Sequence, residues 1–312
     1  MVIRRVAELG NGSRAAPGRS DDHNLIISLN EHAAQYTLDG GRLTIRCAWR
    51  GREESAFDGR RVLIDDDAWL AMCPATSVGC RIAAEREVQS LTIVFRPGFA
   101  EKVLASLLTS DDRLLARRES RDCPLPFAAF LQPHDRSITP VLMFIKRHCD
   151  MGVDDPLWYE EQLAFLLERL LMRHRQIVAR AQAIPARRAA TRREILRRIA
   201  RATDYIHSCY ERPLTLDDMA GAACLSRHHF LRLFKVVHGV TPHEMLQRKR
   251  TLVAARLLRE SDLGVEDIVR RVGFDSRSTL FRALRRFHGV TPRQCRGNST
   301  IGASALAAYA AA

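Results

Sequence analysis

A duplication in the C-terminal third most constrains how this 312-residue chain folds. The pentapeptide HGVTP occurs at 238–242 and again at 288–292. The segments that precede it, LTLDDMAGAACLSRHHFLRLFKVV and LGVEDIVRRVGFDSRSTLFRALRRF, align at an offset of 49 before a central turn and 50 after it. The second copy therefore carries one extra residue in the turn. Because an internal repeat is one structural unit used twice, we interpret the pentapeptide as the end of that unit.

Each copy predicts a short helix, a tight turn and a second helix, here called the reading helix. In the first copy Thr215 and Ser226 are candidate N-caps, with Asp218 three residues after the threonine. In the second copy Gly273 supplies the turn. In both copies the glycine that follows the histidine of HGVTP ends the reading helix. The apolar face of the reading helix is formed by Phe230, Leu233, Phe234 and Val237 in the first copy and by Leu280, Ala283, Leu284 and Phe287 in the second. This pattern predicts two helix-turn-helix units.

The segment between the copies predicts a helix of about 18 residues, roughly 27 Å long. The reading helices extend beyond the ends of this connecting helix. It can therefore hold them about 34 Å apart, which is one turn of DNA. Its basic residues are predicted to form a solvated face: Arg248, Lys249 and Arg250.

The positive charge is confined to the duplicated region. Residues 187–296 contain 24 Arg and Lys against 11 Asp and Glu, whereas 1–186 contain 25 of each. A surplus in one domain indicates a polyanion, nucleic acid before membrane. The longest charge-free run is too short to span a bilayer, and the first residues lack the apolar core of a signal peptide. We therefore expect a cytoplasmic protein without a membrane partner.

In the N-terminal half, the predicted secondary structure changes from strands to helices at Pro97. Before it, the runs LIISL, RLTIRCAW, RRVLI, AWLAM and QSLTIVF, separated by turn signals such as DGG and RGREE, predict antiparallel strands in a sandwich or barrel. After it, helices are predicted at 99–108, 138–149 and 156–178. The last carries a leucine stripe that fits either packing within the domain or a homodimer seam: Leu163, Leu166, Leu167, Leu170, Leu171 and Ile177.

The chain is thus predicted to be an α+β protein of two domains. We assign 1–183 to an N-terminal domain, β-rich to about residue 96 and helical after it, 184–190 to a linker, 191–296 to an all-α tandem helix-turn-helix domain and 297–312 to a tail. The capping-box spacing of Thr191 and Glu194 predicts that a helix begins at Thr191.

Cysteine and histidine spacing argues against a metal or redox centre. Eight cysteines lie at 47, 73, 80, 123, 149, 209, 224 and 295 without a CxxC pair, and no HxH pair occurs. Most of the cysteines are expected to be reduced, buried fillers. We expect no cofactor, no metal and no enzymatic activity.

The duplicated units, with LSRHHFLRLFKVVHGVTP and VGFDSRSTLFRALRRFHGVTP joined by a long helix, resemble the DNA-binding domain of the AraC/XylS family of bacterial transcription regulators. The N-terminal domain is similar to that family's cupin-like barrel with helices only in the order of its elements. The resemblance implies a transcription regulator, an activator, that binds double-stranded promoter DNA in the nucleoid and works with RNA polymerase. It also implies control by a small-molecule effector or by homodimerisation through the N-terminal sensor and dimerisation domain.

The face of each reading helix opposite the core is the candidate DNA interface. It presents Arg227, His228, Leu231, Arg232 and Lys235 in the first copy and Arg277, Ser278, Phe281, Arg282 and Arg285 in the second. Arginine binds guanine bidentately, and the resemblance places Arg232 and Arg282 at the family's base-contacting arginine. Helix-start N–H groups at Ser226 and Ser276, and the basic residues one turn beyond these arginines, are expected to bind phosphates.

Two questions stay open in the sequence. Leu231 and Phe281, where the family commonly has a polar residue, fit either contact with thymine methyl groups or packing against a neighbouring helix. The effector is unknown, and the arginines of the strand region fit either an anionic effector or a solvated face: Arg42, Arg46, Arg50, Arg52, Arg60 and Arg61.

Rival functions are a DNA-binding domain fused to a redox sensor or a catalytic N-terminal domain, and a protein-interaction module. A repair enzyme of the first type would need a zinc-binding cysteine cluster near the N-terminus, but Cys47 has no partner within 25 residues.

Overall fold

The computed structural model describes residues 2–5, 23–107, 130–182 and 189–297. The chain divides into two compact units, one of residues 1–132 and 137–179, the other of 133–136 and 180–312. The first unit is a nearly closed β-barrel with packing helices, and the second is helical apart from its short segment 133–136. The predicted α+β architecture is therefore confirmed. Of the predicted linker, residues 184–188 lie outside the described residues.

Eight strands are seen in the described residues: β1 Val2–Arg5, β2 Leu25–Leu38, β3 Thr44–Trp49, β4 Arg52–Phe57, β5 Arg60–Asp65, β6 Ala68–Met72, β7 Val78–Val94 and β8 Phe130–Pro133. They follow the order β1-β2-β7-β3-β6-β8, with β4 paired to β5 and β7. The long β7 holds the barrel together, because its second half pairs with β2 and β3 and its first half with β2 and β4. β2 follows this strand around the barrel through a bulge between Glu31 and Ala33.

Strand β4 corrects one prediction, because RGREE was assigned to a turn. Its residues alternate between exposed or half-buried and buried, with Glu53, Ser55 and Phe57 pointing inward. The inward glutamate is fully buried and forms an ion pair with Arg46 of β3. Because Glu53 is charged but occupies a core position, the alternation of apolar and polar residues that is typical of a strand is not visible in the sequence.

A polar network surrounds this ion pair. Arg46 also donates to Tyr36 Oη at 3.0 Å and to Cys80 Sγ at 2.7 Å, and Ser90 Oγ donates to Glu53 Oε2 at 2.7 Å. Burial raises the pKa of the Cys80 thiol to about 11, so it is a neutral thiol near pH 7. These contacts compensate for much of the cost of burying the pair, although Arg46 Nε has no hydrogen-bond partner in the described residues.

Three helices pack on the barrel: α1 Phe99–Leu107, α2 Thr139–Asp150 and α3 Pro156–Gln182. The leucines of α3 are buried in one core with Ile45, Trp69 and Ile93 of the strands, which decides between the two interpretations of the leucine stripe. The stripe packs within the unit, and its interpretation as a homodimer seam is wrong. The side chain of Ile177 lies outside the described residues.

The cysteine prediction is confirmed for four residues and corrected for two others, and Cys209 is a free thiol that is half-buried. Buried free thiols are found at Cys47, Cys80, Cys149 and Cys295. Cys224 is exposed, and Cys73 forms a disulfide. Cys123 lies outside the described residues.

The helical unit contains α4 Ala189–Cys209, α5 Leu216–Ala222, α6 Arg227–His238, α7 Pro242–Glu260, α8 Val265–Val272, α9 Arg277–His288 and α10 Pro292–Gly297. The prediction that a helix begins at Thr191 is wrong, because α4 already includes Ala189 and Ala190. Alanine is the strongest helix former and extends the helix upstream of the capping motif.

The repeated pentapeptide ends one helix and begins the next. Gly239 and Gly289 follow α6 and α9 in the left-handed conformation, with φ of 75° and 67°. Two residues later the threonine Oγ1 accepts a hydrogen bond from the backbone of the following helix, from Glu244 N at 3.2 Å in the first copy and from Gln294 N at 3.3 Å in the second. Proline then occupies the first helical position, where its missing N–H costs nothing.

The histidine of the pentapeptide has the same role in both copies. His238 Nε2 shares a hydrogen bond of 2.9 Å with Thr203 Oγ1 of α4, and His288 Nε2 one of 3.1 Å with Thr251 Oγ1 of α7. Both threonines are buried. Each reading helix is therefore attached at its C-terminal end to the long helix that precedes its unit.

The two central turns differ in chemistry. Thr215 and Asp218 form the predicted capping box, which is confirmed. In the first turn Cys224 adopts φ of 51°, where the second turn has Gly273 with φ of 80°. A Cβ at Gly273 would lie 2.6 Å from the carbonyl oxygen of Glu211, whereas the Cys224 side chain is exposed. Cysteine occupies the left-handed position of the first turn because space remains for its side chain.

The connecting helix α7 corrects a further prediction. Lys249 and Arg250 are buried rather than solvated. Arg250 donates to the carbonyl oxygens of Tyr210 at 2.8 Å and Arg212 at 2.6 Å, and Lys249 Nζ lies 5.3 Å from the centre of the Tyr210 ring. Arg250 thus satisfies carbonyl groups at the end of α4, and both cations fix α7 against that end.

We predict opposite effects of substitution at the two turns. Cys224→Gly should stabilise the full-length protein by about 0.5–1 kcal/mol, since it removes left-handed strain of about 1–2 kcal/mol against a smaller entropic cost. Gly273→Ala should destabilise it by about 3 kcal/mol through strain and the carbonyl clash. Chemical denaturation followed by circular dichroism measures both, and equal effects at the two turns would contradict the assignment.

We also predict that the stability of the N-terminal unit decreases in acid. Burial lowers the pKa of His174 on α3 from 6.5 to about 4, so the unfolded chain binds more protons in this range. The neutral histidine therefore contributes stability above pH 6.5 that is lost as the pH falls towards 4, on the order of 3 kcal/mol in total. His174→Gln should remove this pH dependence from the unfolding free energy, whereas His32→Gln, at an exposed position, should leave it. Parallel pH profiles of the His174 variant and the wild type would contradict the prediction.

Candidate nucleic-acid interface

The two reading helices, α6 and α9, are equivalent in length, register and burial. Each has 12 residues, begins after a serine and ends at a left-handed glycine. Their inner faces are buried, as predicted, with the single exception that Phe287 is half-buried. The outer faces therefore present the same positions in both copies.

All the candidate contact residues of the sequence lie on these outer faces and are exposed. They are Ser226, Arg227, His228, Leu231, Arg232 and Lys235 in the first copy and Ser276, Arg277, Ser278, Phe281, Arg282 and Arg285 in the second. Arg232 makes no hydrogen bond or ion pair within the described part of the chain, and Arg282 donates only to the carbonyl of Ser278 on its own helix, at 3.4 Å. Both guanidinium groups retain donors for a ligand.

Leu231 and Phe281 are exposed to 37% and 41%, respectively. They are the large apolar side chains that the described residues of the helical unit leave exposed. This exposure disfavours the alternative in which they pack against a neighbouring helix. Equivalent apolar groups thus stand beside Arg232 and Arg282 in both copies.

An acidic residue holds the first arginine of each reading helix. Asp217 Oδ2 lies 3.5 Å from Arg227 Nη1, and Glu266 Oε1 lies 2.5 Å from Arg277 Nη2. The sequence interpretation missed these carboxylates, although the 49-residue offset aligns them. Exposed pairs of this kind contribute at most about 1 kcal/mol, so their effect is to orient the arginines rather than to stabilise the fold.

The serines at the helix starts behave differently. Ser276 Oγ accepts from Thr279 N at 3.2 Å and so caps α9, a role that the sequence interpretation did not assign to this serine. Ser226 occupies the N-cap position without a side-chain hydrogen bond, which corrects the prediction for the first copy. The first N–H groups of α6 are therefore not engaged by that side chain.

Helix α7 fixes the two helix-turn-helix units to each other. Its first part, with Met245 and Leu246, packs in a core with α4, α5 and α6. Its second part, with Val253 and Leu258, packs in a core with α8, α9 and α10. Tyr210, at the end of α4, packs against both cores. One continuous helix shared by two cores gives the reading helices a fixed separation.

The arginines of the strand region do not form one cluster. Arg46 is inside the barrel, Arg42 donates to the carbonyls of Phe95 and His23, and the Arg61 side chain is 83% exposed. The one that points inward is neutralised by Glu53. The anionic-effector alternative therefore finds no support among these side chains.

The described residues contain neither a metal-binding cluster nor a membrane-spanning helix. No group of three or more His, Cys, Asp or Glu side chains in those ranges is arranged to hold a metal ion. Within the same ranges, no helix combines the length and apolarity that crossing a bilayer requires.

The comparison with known proteins places the similarity in the helical unit. The family described as "Helix-turn-helix domain" matches residues 219–298. The probable transcription factor PqrA of Proteus vulgaris is 33% identical over 88 residues, which cover 28% of this chain and 72% of that protein. A putative AraC-like transcription regulator of Streptomyces lividans is 35% identical over 103 residues, 33% of this chain and 34% of the relative.

Solved structures of ToxT match over most of the length of the chain. In one of them, ToxT of Vibrio cholerae is 12% identical, covers 87% of this chain and 96% of its own, and has a TM-score of 0.34. The chain spans about a third of the length of the first curated relatives that it matches.

The family match covers both reading helices, and the match to PqrA covers most of that transcription factor. The chain therefore belongs to the AraC/XylS family of DNA-binding transcription regulators.

Proposed function

We propose that this regulator is an activator that binds promoter DNA through both reading helices and is controlled by its N-terminal unit. The observation that carries the proposal is the repetition of one exposed surface, with the same register and burial, on two helices that share a rigid support. A protein-interaction module does not require two matching basic faces. A protein that binds successive grooves of DNA does require them.

Base readout is assigned first to Arg232 and Arg282. Each lies on the exposed face, on the side of the helix opposite the buried phenylalanine or leucine, and retains donors for the O6 and N7 atoms of guanine. A bidentate contact of this type discriminates by about 1–3 kcal/mol. His228, Ser278, Arg227 and Arg277, which lie nearer the helix starts, complete the proposed base-reading set.

Phosphate contacts are assigned to the ends of the interface. Lys235 and Arg285 lie almost one turn beyond the base-reading arginines, and the helix-start N–H groups at Ser226 and Ser276 face the opposite end. Such contacts set the register of the protein on the duplex without reading its sequence. They also make the affinity fall with salt, with a slope of about −0.9 per phosphate on a log–log scale.

The spacing of the two helices supports contact with adjacent major grooves. Helix α7 has 19 residues and is about 28 Å long. Because both cores hold it, the separation of α6 and α9 does not depend on a flexible linker. A single chain then reads two successive turns on one side of the duplex.

Control is assigned to the barrel unit, through a small-molecule effector or through a homodimer. The activator role, contact with RNA polymerase and a cytoplasmic, nucleoid-associated location complete the proposal, as family expectations. We propose no enzymatic activity, and the family relatives are named as regulators.

A redox-sensing regulator is the second candidate, and the disulfide at Cys73 is the observation that favours it. The buried thiols give it no support, since burial raises the pKa values of Cys47 and Cys80 and keeps both thiols neutral. Measuring DNA affinity with and without a reductant separates this candidate from effector control.

Replacement of the base-reading arginines is predicted to weaken specific binding. After the preferred sequence has been selected from random DNA, Arg232→Gln and Arg282→Gln should each weaken binding to it by about 1–3 kcal/mol, roughly 5- to 150-fold, and relax the preference at one guanine. Arg61→Gln, on the exposed barrel surface, is the matched control and should bind as the wild type does. Unaltered binding by the folded variants in titrations would contradict the proposed readout.

Contact with thymine methyl groups is predicted for Leu231 and Phe281. Operators with thymine replaced by uracil, position by position, should bind the wild type about fourfold more weakly at the contacted sites, since one buried methyl contributes about 0.8 kcal/mol. Leu231→Ala should lose this difference at one half-site and Phe281→Ala at the other. If either variant retains the full thymine preference, its side chain does not read the methyl group.

A further inference from the structure

A trio of side chains recurs around the first half of each reading helix. It consists of an arginine, the carboxylate that pairs with it from the preceding helix, and an exposed apolar residue four positions after the arginine. The first copy has Arg227, Asp217 and Leu231, and the second has Arg277, Glu266 and Phe281. Base readout by the arginine alone does not account for the other two members.

Each arginine and its apolar partner are neighbours on the exposed face of the reading helix. Positions four apart on a helix have Cβ atoms about 5–6 Å apart. A helical side chain also leans towards the N-terminus, so Leu231 leans towards Arg227 and Phe281 towards Arg277. In both copies a cation and an exposed apolar group therefore share one small area of the surface.

The carboxylate restrains where the arginine can reach. The oxygen–nitrogen distances are 3.5 Å for Asp217 with Arg227 and 2.5 Å for Glu266 with Arg277. Both acidic residues lie on the first helix of their unit, α5 or α8, which crosses the DNA backbone in a helix-turn-helix complex. A negative charge there repels phosphates, so the paired arginine is held back from the backbone. A guanidinium has five N–H donors, and the ion pair leaves donors for a base.

The shared cationic and apolar surface matches the chemistry of a methylated pyrimidine next to a guanine. In the major groove, guanine presents N7 and O6, which accept from arginine, and thymine presents a C5-methyl group, which contacts apolar side chains. Successive bases of a strand are about 3.4 Å apart, so side chains one helical turn apart reach neighbouring bases. Cytosine methylated at C5 presents its methyl group where thymine does, because both pyrimidines turn their C5 edge towards this groove.

We infer that each trio binds a C5-methylated pyrimidine followed by guanine, and that this regulator therefore distinguishes C5-methylated CpG steps from unmethylated ones. The guanidinium donates to the guanine, and the apolar side chain packs on the methyl group. Asp217 and Glu266 are positioning residues, since they act on the DNA through the arginines. The ligand is duplex DNA with thymine or 5-methylcytosine before guanine.

This inference deepens the proposed function and rests on it, because only a protein that binds the major groove reads this methyl group. It extends the thymine preference to methylated cytosine and makes that preference depend on acidic residues outside the reading helices. Methylation of cytosine then raises the occupancy of a site whose base sequence is unchanged.

Four operators that differ at one pyrimidine test the inference with the full-length protein. After the preferred sequence has been selected from random DNA, the pyrimidine before guanine in one half-site is made thymine, uracil, 5-methylcytosine or cytosine, each with its complementary purine. Thymine should bind about fourfold more tightly than uracil, and 5-methylcytosine about fourfold more tightly than cytosine, since each pair differs by one buried methyl group. Methylation of both half-sites should give roughly 16-fold, because distant sites add.

Variants assign the methylation effect to the members of the trio. Leu231→Ala should abolish it at one half-site and Phe281→Ala at the other. Asp217→Asn and Glu266→Gln should each reduce it to about twofold or less and steepen the log–log salt dependence by about 0.9, because the released arginine binds a phosphate instead. A merely structural role of the carboxylates would not steepen the salt dependence.

Asp275→Asn is the matched control for the carboxylates. Asp275 is exposed immediately before Ser276 and forms no ion pair with Arg277 within the described part of the helical unit. Its replacement removes the same charge near the same helix and should leave the methyl preference and the salt dependence as in the wild type. All five variants are at exposed positions and should fold as the wild type does, which circular dichroism checks.

The outcomes separate this inference from the proposed function. Equal binding of methylated and unmethylated cytosine, or a selected sequence without a pyrimidine–guanine step, would overturn the inference alone. A methylation effect that survives in the alanine or the carboxylate variants contradicts the trio. Failure of the random pool to yield any preferred sequence refutes the proposed function.

Discussion

The ends of the reading helices are the constraint on which the DNA-binding unit depends. At each HGVTP sequence a histidine bonds to a buried threonine of the preceding long helix, a glycine turns the chain, and a threonine–proline pair starts the next helix. Few sequences satisfy three such requirements within five residues, so the same solution appears twice. The position of the outer face of α6 or α9 follows from where its helix is anchored.

Helix α7 converts these local anchors into a fixed geometry. It contributes to both hydrophobic cores, and the buried cations Lys249 and Arg250 attach its middle to Tyr210 at the end of α4. Burial of a charge is costly unless carbonyl groups and rings replace the lost water, and this site provides both. These buried contacts fix the separation of the reading helices. A surface that must match DNA requires such a fixed separation.

Most errors of the sequence interpretation come from the tertiary surroundings of single residues. Glu53 and Arg250 were placed in a turn and on a solvated face because isolated charges are rarely buried, yet each finds a partner distant in sequence. Thr191 has the spacing of a cap, but neighbouring alanines continue the helix upstream. Cys224 takes a left-handed conformation that favours glycine, because its side chain points into open solvent. For Glu53, Arg250 and Cys224, partners or space provided by the tertiary structure override a local preference, whereas at Thr191 one local preference overrides another.

The sequence by itself determined the two-unit architecture, the tandem helix-turn-helix, the buried faces of α6 and α9 and the candidate contact residues, since periodicity, caps and repeats are local signals. Only the tertiary structure decided which charges are buried, that the α3 leucines pack inside their unit, and that Leu231 and Phe281 stay exposed. Burial is a property of the whole packed chain: the spacing of apolar residues shows that a helix has a face, but not what covers it.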